Sequence, residues 1–480
     1  MSVALPADFR LELDPGAWLA RADVVMGGTP FRIVRLSEPQ ADTLAGWLAG
    51  APVGDQPEAG MFARALVSAG LARPMPPALG VDYSISVVIP VRDRTKQLDR
   101  LLRAVRRLAA TDPVVEIVVV DDASAKPDEL AAVVAAHGGR YIRRAVRGGP
   151  AAARNEGARM ATGDVLAFID SDCEPRAGWL SNLLPHLADP EVTVVAPRIV
   201  AIAESAASGW LGRYEAVRSP LDRGPEGALV VPGGRVPFVP GATLVVRASA
   251  MADGFDESLP GAEDVDFVWR MTARGHQVRY EPAGEVGHAH RTTPAGFLSR
   301  RAHYGRTAAP LSRQHPGAAR PLALSPWTAA AWAAVAARRP VLAAAITGVA
   351  CGLLSRELRG VVDEPVREAV RLAGGGTLHS GVVVADSLVR AWWPLSIVAA
   401  AVAPRLRPAF AAAAILPAVL EWRRTRPDLD PLRWTAARVL DDAAYGFGVW
   451  RGCIEHRTLN PLLPDLGWRL QIGSADDLSD

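Results

Sequence analysis

The chain has 480 residues, 49% of them hydrophobic and 22% charged, which is long enough for two to four domains and too apolar for a disordered protein. A formal net charge of +2 argues against nucleic acid as the main partner, because such proteins carry a strongly basic domain. Cys173, Cys351 and Cys453 are odd in number and far apart, so neither a disulfide framework nor a zinc pattern is visible, which suits a reducing cytosolic setting.

The start of the chain carries Asp8, Glu12 and Asp14 and no long apolar run, which argues against a signal peptide. Two β-rich runs, 22–26 and 30–36, flank Gly27-Gly28 and predict a hairpin. Ser37-Glu38-Pro39 then opens a helix with Ala41, Leu44, Trp47 and Leu48 on one side, and a second helix carries Phe62, Leu66 and Val67 and stops at Gly70. Pro74, Pro76 and Pro77 read as a linker. A hairpin with short helices over residues 1–80 is similar to the small winged-helix-like, peptide-binding modules that accompany enzymes maturing ribosomally made peptides. The alternative is a packing extension of the region that follows.

Residues 84–305 alternate apolar β runs with helical stretches and predict a largely parallel α/β sheet. Strands are expected at 85–90, 114–120, Val165–Ile169, 193–197 and Thr243–Arg247, and helices at 97–108, Pro127–Ala136 and 151–161. Val118-Val-Val runs straight into Asp121-Asp122-Ala-Ser124. Ligands of open α/β sheets sit at the carboxyl ends of strands, where a carboxylate accepts hydrogen bonds from a base N–H or ribose hydroxyls. A plain helix start before Pro127 is the alternative.

Gly148-Gly149 leads into a helix carrying Arg154 and Asn155, a start that favours phosphate. The strand 165–169 ends in Asp170-Ser171-Asp172, two carboxylates spaced to hold one divalent cation, Mn²⁺ or Mg²⁺, shared with a diphosphate. Glu263, Asp264 and Asp266 open an amphipathic helix. They suit either a base for an attacking hydroxyl or simple dipole complementation. In Gly287-His288-Ala-His290 the alternate His residues can face one side of a strand and offer a neutral imidazole to the same ion.

Residues 320–480 are rich in Ala, Arg and Pro and hold four apolar arms at 327–337, 341–354, 391–403 and 409–420. Arg338-Arg339 interrupts the first pair, and Arg405 with Arg407 the second. Each arm is shorter than the ~20 residues of a spanning helix. The arms are expected to pack on each other as a soluble Ala-rich bundle or to dip into one leaflet, with Trp392-Trp393 at the interface.

In order, Ile85 to Pro90 and Asp93, Asp121-Asp122-Ala-Ser124, Gly149 to Asn155, Asp170-Ser-Asp172, Pro240-Gly241-Ala and Glu263-Asp264 resemble the inverting family 2 glycosyltransferases. The resemblance covers about residues 84–305 and implies the GT-A nucleotide-diphospho-sugar transferase fold of the α/β class. It implies donor contacts from Pro90, Asp93, Asp121, Asp122, Arg154 and Asp170, metal ligation by Asp172 with His288, and Asp264 as catalytic base. Gly241, Glu263 and Asp266 are assigned to the acceptor. The N-terminal module, His303-Tyr-Gly-Arg-Thr-Ala-Ala-Pro-Leu311 and the helical C-terminal third extend the resemblance to the glycosyltransferases of mycofactocin biosynthesis.

That likeness implies a UDP-glucose donor, a small peptide-derived redox-cofactor precursor as acceptor and a β-1,4-glucan product. The implied location is the cytoplasm or the cytoplasmic face of the membrane. No Gln-x-x-Arg-Trp is found, which speaks against a long-polymer synthase. Rival expectations are a family 2 enzyme acting on lipid or polysaccharide at the membrane and a non-catalytic nucleotide-sugar-binding scaffold.

Overall fold

The computed structural model describes residues 3–78, 83–109, 112, 114, 116–318, 320–467 and 471–478. The expected boundary between the first two regions falls partly outside them, at 79–82. In the N-terminal module β1 (Arg10–Leu13), β2 (Trp18–Arg21), β3 (Val24–Gly27), β4 (Arg32–Arg35) and β5 (Ala72–Met75) surround helices Glu38–Leu48 and Pro57–Ser68. The expected hairpin is β3–β4, antiparallel across the Gly27-Gly28 turn. Pro74 lies inside β5, paired with β1, and so belongs to the module and not to a linker.

The central sheet contains β6 (Ile85–Val91), β7 (Glu116–Asp121), β8 (Arg140–Arg143), β9 (Val165–Ile169), β10 (Cys173–Pro175), β11 (Val192–Ala201), β12 (Ala228–Leu229), β13 (Thr243–Arg247) and β14 (Gln277–His288). Its order is β10-β14-β11-β13-β9-β6-β7-β8, with β12 on β14. Strands β9, β6, β7 and β8 run parallel, as expected, but β13 is antiparallel to both its neighbours, so the sheet is mixed.

The strands read as unbroken apolar runs because both faces are covered. Alternation sends Val87 and Ile89 to one core with Leu98, Leu101 and Ile117. It sends Val88, Leu166 and Phe168 to the other core with Phe255 and Phe267. The four parallel strands therefore end together, and the loops after β6, β7 and β9 share one rim.

The four apolar arms lie in helices Pro326–Ala336, Pro340–Glu357, Trp393–Val402 and Arg407–Thr425, each begun by a Pro in its first turn. Sequence reading missed helices Gly375–Arg390 and Pro431–Glu455. The last packs along helix Pro294–Arg306 through Gly305, Gly448 and Gly452, where any side chain would overlap the facing backbone.

Buried ion pairs fix this layer. Arg301 bonds Glu215 and Asp441 (2.9 Å), and Arg438 bonds Asp442 (3.0 Å), Asp386 (2.6 Å) and Glu421. The third region is not separate from the first. Strand β15 (Gln471–Ser474) adds parallel to β4, and Leu358, Val361 and Val362 cover one face of the N-terminal sheet. The module is thus built into the rest of the chain on one face and one edge.

Among the described residues one helix, Pro340–Glu357, is long and apolar enough to cross a membrane. A bent pair, Pro365–Arg390 with Trp393–Val402, meets the same test across an 87° break.

Candidate active site

The loops after β6 and β7 lock together. Asp93 sits at φ 54°, its N–H donates to Ser124 Oγ (2.9 Å), and its Oδ1 accepts from the Ala125 N–H (2.8 Å). Asp122 accepts from the N–H groups of Gly148 and Gly149 (2.7 Å each), so the start of helix Gly149–Met160 is held by a protein carboxylate. Asp121 is fully buried, accepting from the Ser124 N–H (2.9 Å) and the Tyr141 hydroxyl (2.7 Å). It stands behind the wall of the cleft and braces the loop that presents Asp122.

The carboxylates after β9 part company, because the strand ends at Ile169 and residues 171–172 form a turn. Asp170 accepts from Arg154 (2.7 Å), while Asp172 pairs with Arg94 (2.5 Å) and faces His288 Nε2 at 3.7 Å. Burial pushes His288 below the usual imidazole range, which keeps it neutral and able to bind a cation. Two ligands about 2.1 Å from one octahedral ion lie about 3 Å apart, so a small closure of Asp172 and His288 would fit a divalent cation.

Cys173 also has its ligand atom within 4.8 Å of those of Asp172 and His288. Its thiol, however, is pushed up by burial and faces Ala242 O (3.6 Å), so it is a poor donor to a hard cation. His290 is turned inward against His288, and burial pushes it down to about 3.

Helix Glu263–Ala273 brings the third set. Arg154 lies at the hub, donating to Glu263 (3.0 Å), Asp170 and Gly241 O (2.9 Å). Glu263 also accepts from the Gly261 N–H (2.7 Å). Asp264 accepts from the N–H groups of Gly241 (2.6 Å) and Val265 (2.8 Å), and burial, reinforced by Glu263, pushes it up to about 6. Asp266 faces the other way, bonded to Arg270 (2.7 Å) and His315 (2.8 Å), and lies outside the cleft. Buried itself and held by both partners, it anchors the helix.

Pro90, Asp93, Asp122, Arg154, Asp170, Asp172, Gly241, Glu263, Asp264 and His288 line one cleft of about 1390 Å³. Ligand pockets usually measure about 300–1,000 Å³, so this one has room for two substrates at once. Sequence reading missed Arg94, although it follows Asp93 directly at the strand end. It also missed Arg223, Tyr304, Arg390 and Tyr445. The last two reach the cleft from the C-terminal helices, and no local pattern marks them.

Residues 86–253 match the family described as Glycosyl transferase family 2. The chain is 36% identical over 476 residues to "Pre-mycofactocin glycosyltransferase" of Mycobacterium tuberculosis, covering 96% of this chain and 98% of that protein. It is 28% identical over 216 residues to "Probable N-acetylgalactosaminyltransferase 9" of Caenorhabditis elegans, covering 40% and 37%. Among solved structures, a mannosyltransferase from Pyrobaculum calidifontis in complex with GDP-Man and Mn²⁺ aligns with 66% of this chain and 93% of its own, at 18% identity and a TM-score of 0.40.

Proposed function

The chain belongs to the pre-mycofactocin glycosyltransferases of glycosyl transferase family 2, with the GT-A fold of the α/β class, and from that membership we propose that it transfers glucose from UDP-glucose to a peptide-derived redox-cofactor precursor, inverting the anomeric carbon and building a β-1,4-glucan chain. The observation that carries this reading is the meeting of Asp122, Asp172 and Asp264 in one cleft.

The nucleoside end of the donor lies against Pro90, Asp93 and Asp122, with Asp121 holding their loop from behind. Asp172 and His288 would hold a divalent cation, Mn²⁺ or Mg²⁺, which would supply charge neutralisation at the diphosphate. Arg154 holds Asp170, Glu263 and the Gly241 carbonyl in fixed relation, so the donor floor and the acceptor side move as one piece. Asp264 takes the acceptor hydroxyl proton as that oxygen bonds to the anomeric carbon, and the bond to the diphosphate breaks with its electron pair leaving on the phosphate oxygen. One displacement by one base inverts the configuration.

Residues 3–78 are proposed to recognise the peptide-derived part of the acceptor. The edge of their sheet beside β4 is taken by β15, which leaves the β2 edge for that contact.

A membrane-surface location is favoured by the apolar side chains that the C-terminal helices leave exposed, Val341 (83%) and Val402 (81%) among them. The tips of the two arm pairs meet where Arg338 donates to the Arg405 carbonyl, so cationic and apolar groups share one end of the molecule. Flotation with anionic phospholipid vesicles tests this: the protein rises with the vesicles on the proposal and stays in the dense fraction if the arms are only a soluble bundle.

The function itself is tested by mass spectrometry of products from a panel of nucleotide sugars and the precursor acceptor. A hexose added from UDP-glucose supports it. Transfer to lipid alone would favour the membrane-acceptor reading, and donor binding without any turnover would favour a scaffold.

A further inference from the structure

The cations around the cleft divide into two kinds. Arg94 is paired with Asp172, Arg154 with Asp170 and Glu263, and Arg218, Arg301 and Arg390 belong to the buried ion-pair layer. Among the described residues Arg147, Arg291, Arg300 and Arg223 line the cleft without an ion pair, and of these four only Arg223 has buried nitrogens with no hydrogen-bond partner. The carboxylate of its neighbour, Asp222, is taken by Arg198 through two bonds of 2.9 Å. Among the described residues no ion pair joins Arg223 to a carboxylate, and its Nε and one terminal nitrogen are buried without a hydrogen-bond partner. The guanidinium is instead packed on the Phe238 ring, 3.8 Å from its centroid, and lines the cleft together with Asp264 and Tyr304.

Holding a guanidinium away from water with unmet N–H groups is costly unless an anion arrives to meet it. Burial pushes Arg223 down to about 10, and the charge of Asp264 is the strongest pull in the other direction, with Tyr280, Asp222 and Tyr304 adding to it. It therefore keeps its charge at neutral pH, on the side of the cleft where Asp264 stands. Two anions form in the proposed transfer. The diphosphate belongs to the Asp172 and His288 end. The other is the acceptor oxygen, which becomes negative beside Asp264 as its O–H bond breaks.

We infer that Arg223 is a catalytic residue of the acceptor side, donating a hydrogen bond to the acceptor oxygen and stabilising the negative charge that develops there as Asp264 removes the proton. This rests on the reading of Asp264 as the base. The proton goes to Asp264, the oxygen bonds the anomeric carbon, and the electron pair of the broken bond leaves with the diphosphate. A positioned donor aimed at developing charge contributes most in a site shielded from water. Phe238 provides that shielding and holds the guanidinium plane.

The experiment compares the parent enzyme with R223Q and R223K, using the acceptor that supports turnover and an analogue fluorinated next to the reacting hydroxyl. Removing one such donor typically lowers kcat by about 10²–10³-fold. R223Q should show a loss of that order with unchanged UDP affinity and melting temperature, and R223K should recover part of it. The defect should shrink with the fluorinated acceptor, whose oxygen bears negative charge more easily, a response that a merely structural role would not give.

Equal kcat in R223Q overturns the inference while leaving the transfer reaction intact. So does a weakened UDP affinity with the same defect for both acceptors, which would assign Arg223 to the diphosphate. A parent enzyme that transfers no sugar to any acceptor overturns the functional reading and this inference together.

Discussion

The backbone N–H of Gly241 donates to Asp264 Oδ2 over 2.6 Å, and the same residue offers its carbonyl to Arg154. One peptide segment after a proline thus fixes both the proposed base, Asp264, and the arginine that ties Asp170 to it. A Cβ on residue 241 would lie 2.7 Å from the Asp264 Cβ and 3.1 Å from its Oδ2. Gly241→Ala should therefore displace the base without unfolding the sheet. We expect kcat to fall by about 10²-fold, the effect of a misplacement near 1 Å, with far-ultraviolet circular dichroism unchanged. Parental kcat in this variant would show that the contact does not position Asp264.

Asp264 is held up to about 6 by burial and by the neighbouring Glu263 carboxylate. A base must be unprotonated, so kcat should rise with pH through that value and level off above it. Glu263→Gln removes the second cause, lowers the Asp264 value and moves the acidic limb to lower pH. A pH–rate profile of both forms checks the sign, and a limb that moves to higher pH in the variant would contradict it.

Asp172 and His288 form the part of the cleft suited to a hard cation, with His288 kept neutral by burial. Asp172→Ala and His288→Ala should each weaken the Mn²⁺-dependent part of UDP binding by tenfold or more, as titration calorimetry with and without the metal would read. The metal-free affinity should change little. Unchanged metal dependence in both variants would remove these residues from the ligand set.

Arg301 is the buried hinge between the catalytic core and the C-terminal layer, bonded to Glu215 on one side and Asp441 on the other. Arg301→Met leaves the buried Glu215 without its arginine and Asp441 with Arg218 alone (3.1 Å), and breaking a buried pair in this way costs about 3–5 kcal/mol. Urea denaturation should register that loss. A stability within about 0.5 kcal/mol of the parent, the range of an ordinary surface change, would mean that the layer is held chiefly by its apolar packing.

Much of the cleft lining was legible because its signals are local. Val118 to Asp122 and Val165 to Asp172 each join a two-sided apolar strand to carboxylates, and a strand end in an open sheet is where ligands meet it. The helix pairs were legible because arginines interrupt long apolar runs at 338–339 and 405–407.

Strand β14, apart from its His288 end, escaped notice for the opposite reason. Its segment Arg279-Tyr-Glu-Pro-Ala-Gly-Glu285 carries Pro, Gly and charge, and its pairing with β11 shifts register between Pro197 and Arg198. Strand β15 is Gln-Ile-Gly-Ser, which bears no mark of its partner β4 more than 400 residues away. The two carboxylates that turn away from the cleft, Asp121 and Asp266, could not be told from their neighbours, because which side of a strand end or helix start faces the ligand is decided by partners such as Tyr141 and His315.

The most direct test of the account is the proton NMR spectrum of the product made from UDP-glucose and the precursor acceptor, read at the anomeric signal. The account predicts that every added hexose resonance shows the large coupling of a β linkage, present with the parent enzyme and missing with Asp264→Asn although that variant still binds UDP. An α-linked product, or undiminished transfer by Asp264→Asn, would contradict it.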